Sequence, residues 1–213
     1  MTPVDGTAPP APAALVLATR NPHKVTEMSA LLDGLPVRVL SCRDLPGVPD
    51  VVEDAPTLEG NAVKKARAVC AATGLPALAD DTGLEVEFLG GAPGVLSARY
   101  AGEPPSYENN NRKLLAALDG VPASERRAVF RCVVALAVPA LGVRTVEGRT
   151  EGRILERPRG EAGFGYDPLF LPAGHERTYA EMPADEKNLV SHRGKAMRAA
   201  RALIKELIRA PRT

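Results

Sequence analysis

The chain has 213 residues, 45% of them hydrophobic, with 27 basic against 26 acidic side chains and a net charge of +1. That is enough for one globular domain or two closely joined lobes, and the charge balance supplies no general pull toward polynucleotides or anionic membranes, so neither is expected as a partner. No apolar run approaches the roughly 18 residues of a membrane helix, and Cys42, Cys70 and Cys132 are odd in number and far apart. They read as reduced core thiols of a cytoplasmic protein rather than a structural zinc site.

Residues 1–12, rich in Pro, Ala, Thr and Gly without periodicity, are expected to form a disordered tail without function. The apolar run Ala14 to Ala18 predicts a buried strand that stops at Thr19-Arg20-Asn21-Pro22-His23-Lys24. Asn21 is a favoured N-cap and Pro22 a favoured first helical residue, after which Val25, Met28, Leu31 and Leu32 recur at helical spacing up to Asp33-Gly34. A strand that hands its loop to a helix N-terminus makes an anion site, because unpaired N–H groups and the helix dipole converge there. Thr19, Asn21 and Lys24 would surround it, although the segment lacks the glycines of a P-loop and reads equally as an ordinary capped helix.

Val37 to Leu40 predicts a second strand, and a Pro-rich connection then carries Glu53-Asp54 to a helix over about Thr57 to Thr73. Its apolar face is Leu58, Ala62, Ala66, Val69 and Cys70, with Lys64 and Lys65 off the centre of that stripe. Solvation is the default for such lysines; a lysine facing phosphate is the sharper alternative. Leu75 to Ala79 leads into Asp80-Asp81-Thr82-Gly83, read as an acidic corner before a half-exposed strand from Leu84 to Phe88. Adjacent carboxylates are costly to bury unless they bind a metal or abstract a proton.

After an irregular segment containing Arg99, Ser106 is expected to cap a helix reaching about Leu118, with Asn109, Asn110 and Asn111 on its wet side and Leu114, Leu115 and Leu118 inward. Arg127 to Val138 predicts a central strand and a hairpin into Val143 to Thr150, extending toward Leu155. The loop Gly160 to Asp167 holds Phe164 and Tyr166, in a chain with only four Phe and four Tyr. Two rings beside Asp167 suggest a platform for a flat ligand whose edge meets a carboxylate or backbone group; packing of the loop onto the core competes with that reading. Ser191 is expected to cap a last helix whose inward face is Ala196, Met197, Ala200, Leu203, Ile204 and Leu207. His192 and Arg193 then fall in its first turn, where cations oppose the helix dipole and suit an anion or a base better than stability.

Five motifs stand in order: Thr19-x-Asn21-x-x-Lys24, Asn61-Ala62-x-x-Lys65-Ala66, Ala79-Asp80-Asp81-Thr82-Gly83-Leu84, Phe164-Gly165-Tyr166-Asp167-Pro168, and Glu186-Lys187-Asn188 with Ser191-His192-Arg193-Gly194. Together they closely resemble the XTP/dITP diphosphatase family, the inosine triphosphate pyrophosphatases, from about Leu15 to Leu207. The resemblance implies an α/β fold, a long twisted mixed β-sheet flanked by helices. It also implies a single domain over residues 13–210 with two lobes around a nucleotide cleft, and a homodimer.

The implied reaction is Mg²⁺-dependent hydrolysis of XTP, ITP or dITP to the monophosphate and pyrophosphate, which keeps deaminated purines out of DNA and RNA. By resemblance, Asp81 is the catalytic acid that activates water and meets the metal with Glu53, and Lys65 faces phosphate. Thr19, Arg20, Asn21, Pro22, His23 and Lys24 match the triphosphate loop, and Phe164, Gly165, Tyr166, Asp167, Lys187, His192 and Arg193 the base and sugar pocket. Thr82 stands where Ser is commoner and keeps the hydroxyl for substrate. Gly60 stands where many relatives carry a glutamate, which leaves Glu53 and Glu59 as rival metal ligands. Donors on Arg193, Lys187 or a backbone amide would select a 6-oxo purine over adenine. The runner-up readings are a related pyrophosphatase for other modified nucleotides and a non-catalytic nucleotide sensor.

Overall fold

A computed structural model describes residues 12–209; the expected tail, Pro12 apart, lies outside the described residues. The sheet is built around β5 (Arg127–Val138), the strand its Val, Phe and Leu content predicts, flanked antiparallel by β3 (Ala77–Val86) and β6 (Gly142–Ile154). Beyond β3 lie β1 (Ala13–Leu17) and β2 (Val37–Ser41), both parallel to their neighbours, and beyond β6 lies β7 (Phe170–Pro172). With the short β4 (Pro93–Gly94) on β3, this is a seven-stranded mixed sheet flanked by helices, as expected, in the order β2-β1-β3-β5-β6-β7.

Helices cover both faces. Met28 and Leu32 of α1 (Pro22–Leu32) and Met197, Ala200 and Ile204 of α5 (His192–Arg209) pack on Leu15, Leu17, Leu78, Cys132 and Val134. On the opposite face Leu58, Ala62, Ala66 and Val69 of α2 (Leu58–Thr73) pack on Val16, Ala77, Ala79, Val133 and Ala135. A third core joins Leu114 of α3 (Tyr107–Ala117) to Leu84, Val86, Phe130, Phe170 and Tyr179. The caps at Asn21, Thr57 and Ser106 each accept a hydrogen bond from a first-turn backbone N–H, and Gly74 closes α2 in the left-handed region at φ 67. All three cysteines are free and buried.

Several expectations need correcting. The acidic stretch is no corner: β3 runs through Asp80 and Asp81 without a break, so the strand expected from Leu84 is its second half, and Glu87 to Leu89 forms a 3-10 turn instead. Asn110 is buried rather than wet, because its side chain pairs with the Ser97 and Ala98 carbonyls and the Ala101 N–H. A short helix α4 (Ala184–Val190), absent from the pattern reading, precedes α5.

Alternation along β3 has a functional result. Leu78 faces the α1/α5 core and Ala79 the α2 core, so the next two residues, Asp80 and Asp81, leave the strand toward opposite faces of the sheet.

Candidate active site

β1 pairs with β3 only at Ala77 and Leu78, and β4 joins β3 only at Leu84 and Glu85. Between them the β3 edge from Asp80 to Gly83 has no strand neighbour on that side, and a cavity of about 410 Å³ opens there. Its walls come from the β1–α1 loop (Thr19, Arg20, Asn21, Lys24), the connection before α2 (Val48, Val51, Glu53), Lys65, Asp81 and Thr82. The far end holds Phe164, Gly165, Tyr166, Asp167, His192 and Arg193. Six sequence segments spread over the chain therefore meet in one hollow. Pro22 is the first residue of α1, and neither it nor His23 nor Lys187 lines the cavity.

The two acids have different surroundings. Asp80 is fully buried, and its Oδ2 accepts from Lys24 Nζ at 3.0 Å, from Arg193 Nε at 3.2 Å and Nη2 at 3.0 Å, and from the Thr82 hydroxyl at 3.2 Å. Burial would raise its pKa, but Lys24, Arg193 and Lys65 together overwhelm that and hold it far below the usual carboxylate range. Asp81 faces the cavity; its Oδ2 accepts from Asn61 Nδ2 at 3.2 Å and its Oδ1 lies 3.4 Å from Lys65 Nζ. Burial, reinforced by the negative charge of Glu53 and only partly offset by Lys65 and Lys24, pushes Asp81 up to about 6.

Lys65 is buried between Asp81 and Glu53, whose Oε2 it meets at 2.9 Å, and Lys64 pairs outside with Asp54. Of the two lysines, Lys65 alone lines the cavity. Burial would lower the Lys65 pKa, yet Asp81 and Glu53 raise it, so it stays a cation. Of the rival acids, Glu53 lines the cavity, with its backbone carbonyl held by Arg99 at 2.7 Å, whereas Glu59 points elsewhere and accepts from the Thr145 hydroxyl.

At the loop end, the Thr19 hydroxyl accepts from Asn21 N–H, and Asn21 Oδ1 from His23 N–H. Arg20 is turned away onto Asp50 (2.5 Å) and the Val48 carbonyl (2.9 Å), so it pins the connection before α2. His23, expected with the triphosphate loop, instead stacks its ring on Phe164, centroids 5.2 Å apart and planes 15° from parallel.

The far end differs most from expectation. Arg193 is fully buried and spends four of its five N–H groups on Asp80, Glu27 and Thr82. Lys187 sits between Glu27 at 2.7 Å and Asp167 at 2.6 Å. Their donors are therefore largely engaged by protein rather than held out for a base. His192 is buried too, stacked on Phe130 at 4.4 Å; burial, then Arg193 and Lys187, hold it neutral by lowering its pKa well below the usual value. It is not a helix-terminus cation. Tyr166 also departs from the platform reading: its ring is buried in the third core and its hydroxyl donates to the Ser97 carbonyl at 2.9 Å. Asp167 caps its own loop through Phe164 N–H, and Asn111 holds the Gly165 carbonyl. The half-buried Phe164 lines the cavity, with the Tyr107 ring, also on the cavity wall, tilted against it at 5.9 Å.

Two glycines let these elements approach. A Cβ on Gly148 of β6 would lie 2.2 Å from the His192 carbonyl, and one on Gly194 would lie 1.8 Å from the Asn188 carbonyl. Without them the start of α5 could not bring Arg193 against the sheet.

Glu27 was not found by pattern reading. It bridges Lys187 and Arg193, and the two cations outweigh the effect of burial and keep its carboxyl below the ordinary range. The available signal was its place three residues after Lys24 on α1, on the same helix face.

A family model described as the Ham1 family matches residues 15–203. A protein of Geobacter sulfurreducens described as dITP/XTP pyrophosphatase is 53% identical over 90% of this chain and 94% of its own length, and one of the same description from Desulforamulus reducens is 50% identical over 91% and 96%. Among solved structures, a HAM1 protein from Coxiella burnetii superposes with a TM-score of 0.81 at 42% identity, covering 91% of this chain and 99% of its own.

Proposed function

This chain belongs to the Ham1 family, and from that membership and the geometry of its cavity we propose that it hydrolyses non-standard purine nucleoside triphosphates (XTP, ITP, dITP) to the monophosphate and pyrophosphate. Such a reaction removes deaminated purines before they enter DNA or RNA. The observation that carries this reading is the division of labour between consecutive acids. Asp80 is locked into a buried ion network, while Asp81 lines the cavity with a pKa of about 6, low enough to be ionised at neutral pH and high enough to take a proton.

In the proposed reaction Asp81 takes a proton from water as the oxygen attacks the α-phosphorus, and the bond to the bridging oxygen breaks to release pyrophosphate. Lys65 keeps Asp81 from becoming neutral through burial alone and adds a fixed positive charge near the phosphates. Lys24 and the capped N-terminus of α1 face the same anion. Phe164 offers the stacking surface for the base, and Arg193, Lys187 and Glu27 hold the pocket's shape.

The donor set fits Mg²⁺: Glu53 and Asp81 are hard oxygen ligands on one wall, close enough that the Glu53 charge raises Asp81, and Mg²⁺ commonly takes one or two carboxylates and retains water. Among the described residues no three His, Cys, Asp or Glu side chains converge on one point, so the protein would contribute these two. When bound, the ion would supply positive charge to the triphosphate and the leaving pyrophosphate.

A cytoplasmic location and a homodimer belong to the same proposal; three free thiols support the first, and sedimentation would test the second. Among the described residues no helix is long and apolar enough to cross a membrane. The reading as a whole is tested by pyrophosphate release from XTP, ITP, dITP, GTP and methylated pyrimidine triphosphates, with and without Mg²⁺. Release from the first three with little from GTP supports it; release only from methylated pyrimidines, or none at all, overturns it.

A further inference from the structure

Asn61 belongs to a motif whose lysine has a role above, while the asparagine itself has none. It lies in the first turn of α2, 1% exposed, and is not part of the cavity wall. Its Oδ1 accepts from the Ala55 N–H at 2.9 Å, and its Nδ2 donates to Asp81 Oδ2 at 3.2 Å. Ala55 lies two residues beyond Glu53 on the connection that leads into α2. One side-chain amide therefore ties the segment bearing Glu53 to the strand bearing Asp81.

We infer that Asn61 is a positioning residue that reserves Asp81 Oδ1 for the proton of the attacking water and holds Glu53 on the same wall. This rests on the pyrophosphatase reading above. A carboxylate has two oxygens of equal basicity, and rotation about its Cβ–Cγ bond exchanges them. Asn61 restricts that freedom by donating to Oδ2, so the two oxygens stay distinct, and Oδ1, whose contact with Lys65 is a longer 3.4 Å, is the less tightly engaged of the two. The position requires a donor toward Asp81 and an acceptor toward Ala55 about one amide width apart. Asp retains the acceptor but sets a third carboxylate against Asp81 and Glu53. Leu has the same shape and satisfies neither group, and Gln is one methylene longer in a site that is already buried. Because the amide never reaches the cavity, its loss should disturb the chemical step and leave substrate binding nearly untouched.

The test compares wild type with Asn61→Asp and Asn61→Ala, using steady-state pyrophosphate release from ITP with thermal unfolding measured on each protein. For Asn61→Asp the expected result is a kcat lower by about 10–100-fold, the usual effect of removing a group that orients a catalytic ligand, with KM within about twofold. A purely structural role would lower the melting temperature and leave the kcat of the folded enzyme unchanged, which overturns the inference. So does a KM that rises as far as kcat falls, since that would make Asn61 a substrate contact. If neither variant folds, the link is read in Asp81→Asn protein by NMR: the Asn61 side-chain NH₂ signals should move on that substitution, and their failure to move refutes the contact. Wild type inactive on ITP would defeat the pyrophosphatase reading instead, while active wild type with unaffected Asn61 variants would defeat only this inference.

Discussion

Asp81→Asn should stabilise the protein while disabling it. Moving a carboxyl from its ordinary 3.8 to about 6 means that the folded state disfavours the ionised form by about 3 kcal/mol, at about 1.4 kcal/mol per pH unit. Asparagine is nearly isosteric, has no charge to desolvate, and keeps an oxygen that can accept from Asn61. The substitution should therefore raise the melting temperature at pH 7, by about 6–12 °C for a chain of this size.

The pH dependence gives a sharper check. In the unfolded chain the carboxyl releases its proton near 3.8, in the folded chain near 6. Between those values the native state binds more protons, so wild-type stability declines as pH rises through the window and the whole penalty is present above it. The advantage of Asp81→Asn should accordingly shrink as pH falls and vanish below about pH 4, where both side chains are neutral. Calorimetry at pH 4, 5, 6 and 7 measures the difference, and pyrophosphate release should show a loss of at least about a hundredfold in kcat. A variant that melts no higher than wild type at pH 7, or whose advantage is the same at pH 4, would show that Asp81 is not held above its ordinary pKa.

Other outcomes follow from the same site. Wild-type kcat/KM should fall about tenfold per pH unit below about pH 6, as the base becomes protonated; an acid limb centred near pH 4 would contradict the environment described for Asp81. Arg193→Ala should cost about 3–5 kcal/mol of stability, because it strands Asp80 and Glu27 in the interior beside fewer cations; urea unfolding that gives under 1 kcal/mol would mean that the buried network is not cohesive. Phe164→Ala should weaken ITP binding about tenfold or more, the worth of one stacked base, and leave tripolyphosphate affinity unchanged; calorimetric titration with equal losses for both would remove Phe164 from the base end. Asn21→Ala should lower stability by about 1 kcal/mol through loss of the α1 cap, and an unchanged melting temperature would speak against that cap.

Local chemistry sets what the sequence discloses. Asn21-Pro22, Thr57, Gly74 and Ser106 marked helix ends correctly, because a cap satisfies backbone groups within three or four residues of itself. The apolar stripes of α2 and α5 and the strand β5 were legible for the same reason, since periodicity records which face is buried. The motif order was specific enough to gather the Thr19 to Lys24 loop, Lys65, Asp81 and the Phe164 loop, and the cavity takes residues from each of them.

What stayed hidden depends on partners distant in sequence. The sequence presents Asp80 and Asp81 as equivalent neighbours; their opposite environments arise only when α5 sets Arg193 against one face of β3 and α2 sets Lys65 and Asn61 against the other. Arg193 and Lys187 looked like free donors until Glu27, more than 150 residues earlier, was found between them. Asn110 and Tyr166 looked exposed because their satisfying groups, the Ser97 and Ala98 carbonyls, lie in an irregular segment without pattern. Amino-acid order alone marked most of the elements and, through the motifs, the fold class and the reactive groups other than Glu27. Which acid has its pKa raised and which becomes a buried structural anion was decided by folding, because a carboxyl's pKa depends on the charges and solvent that the tertiary structure brings to it.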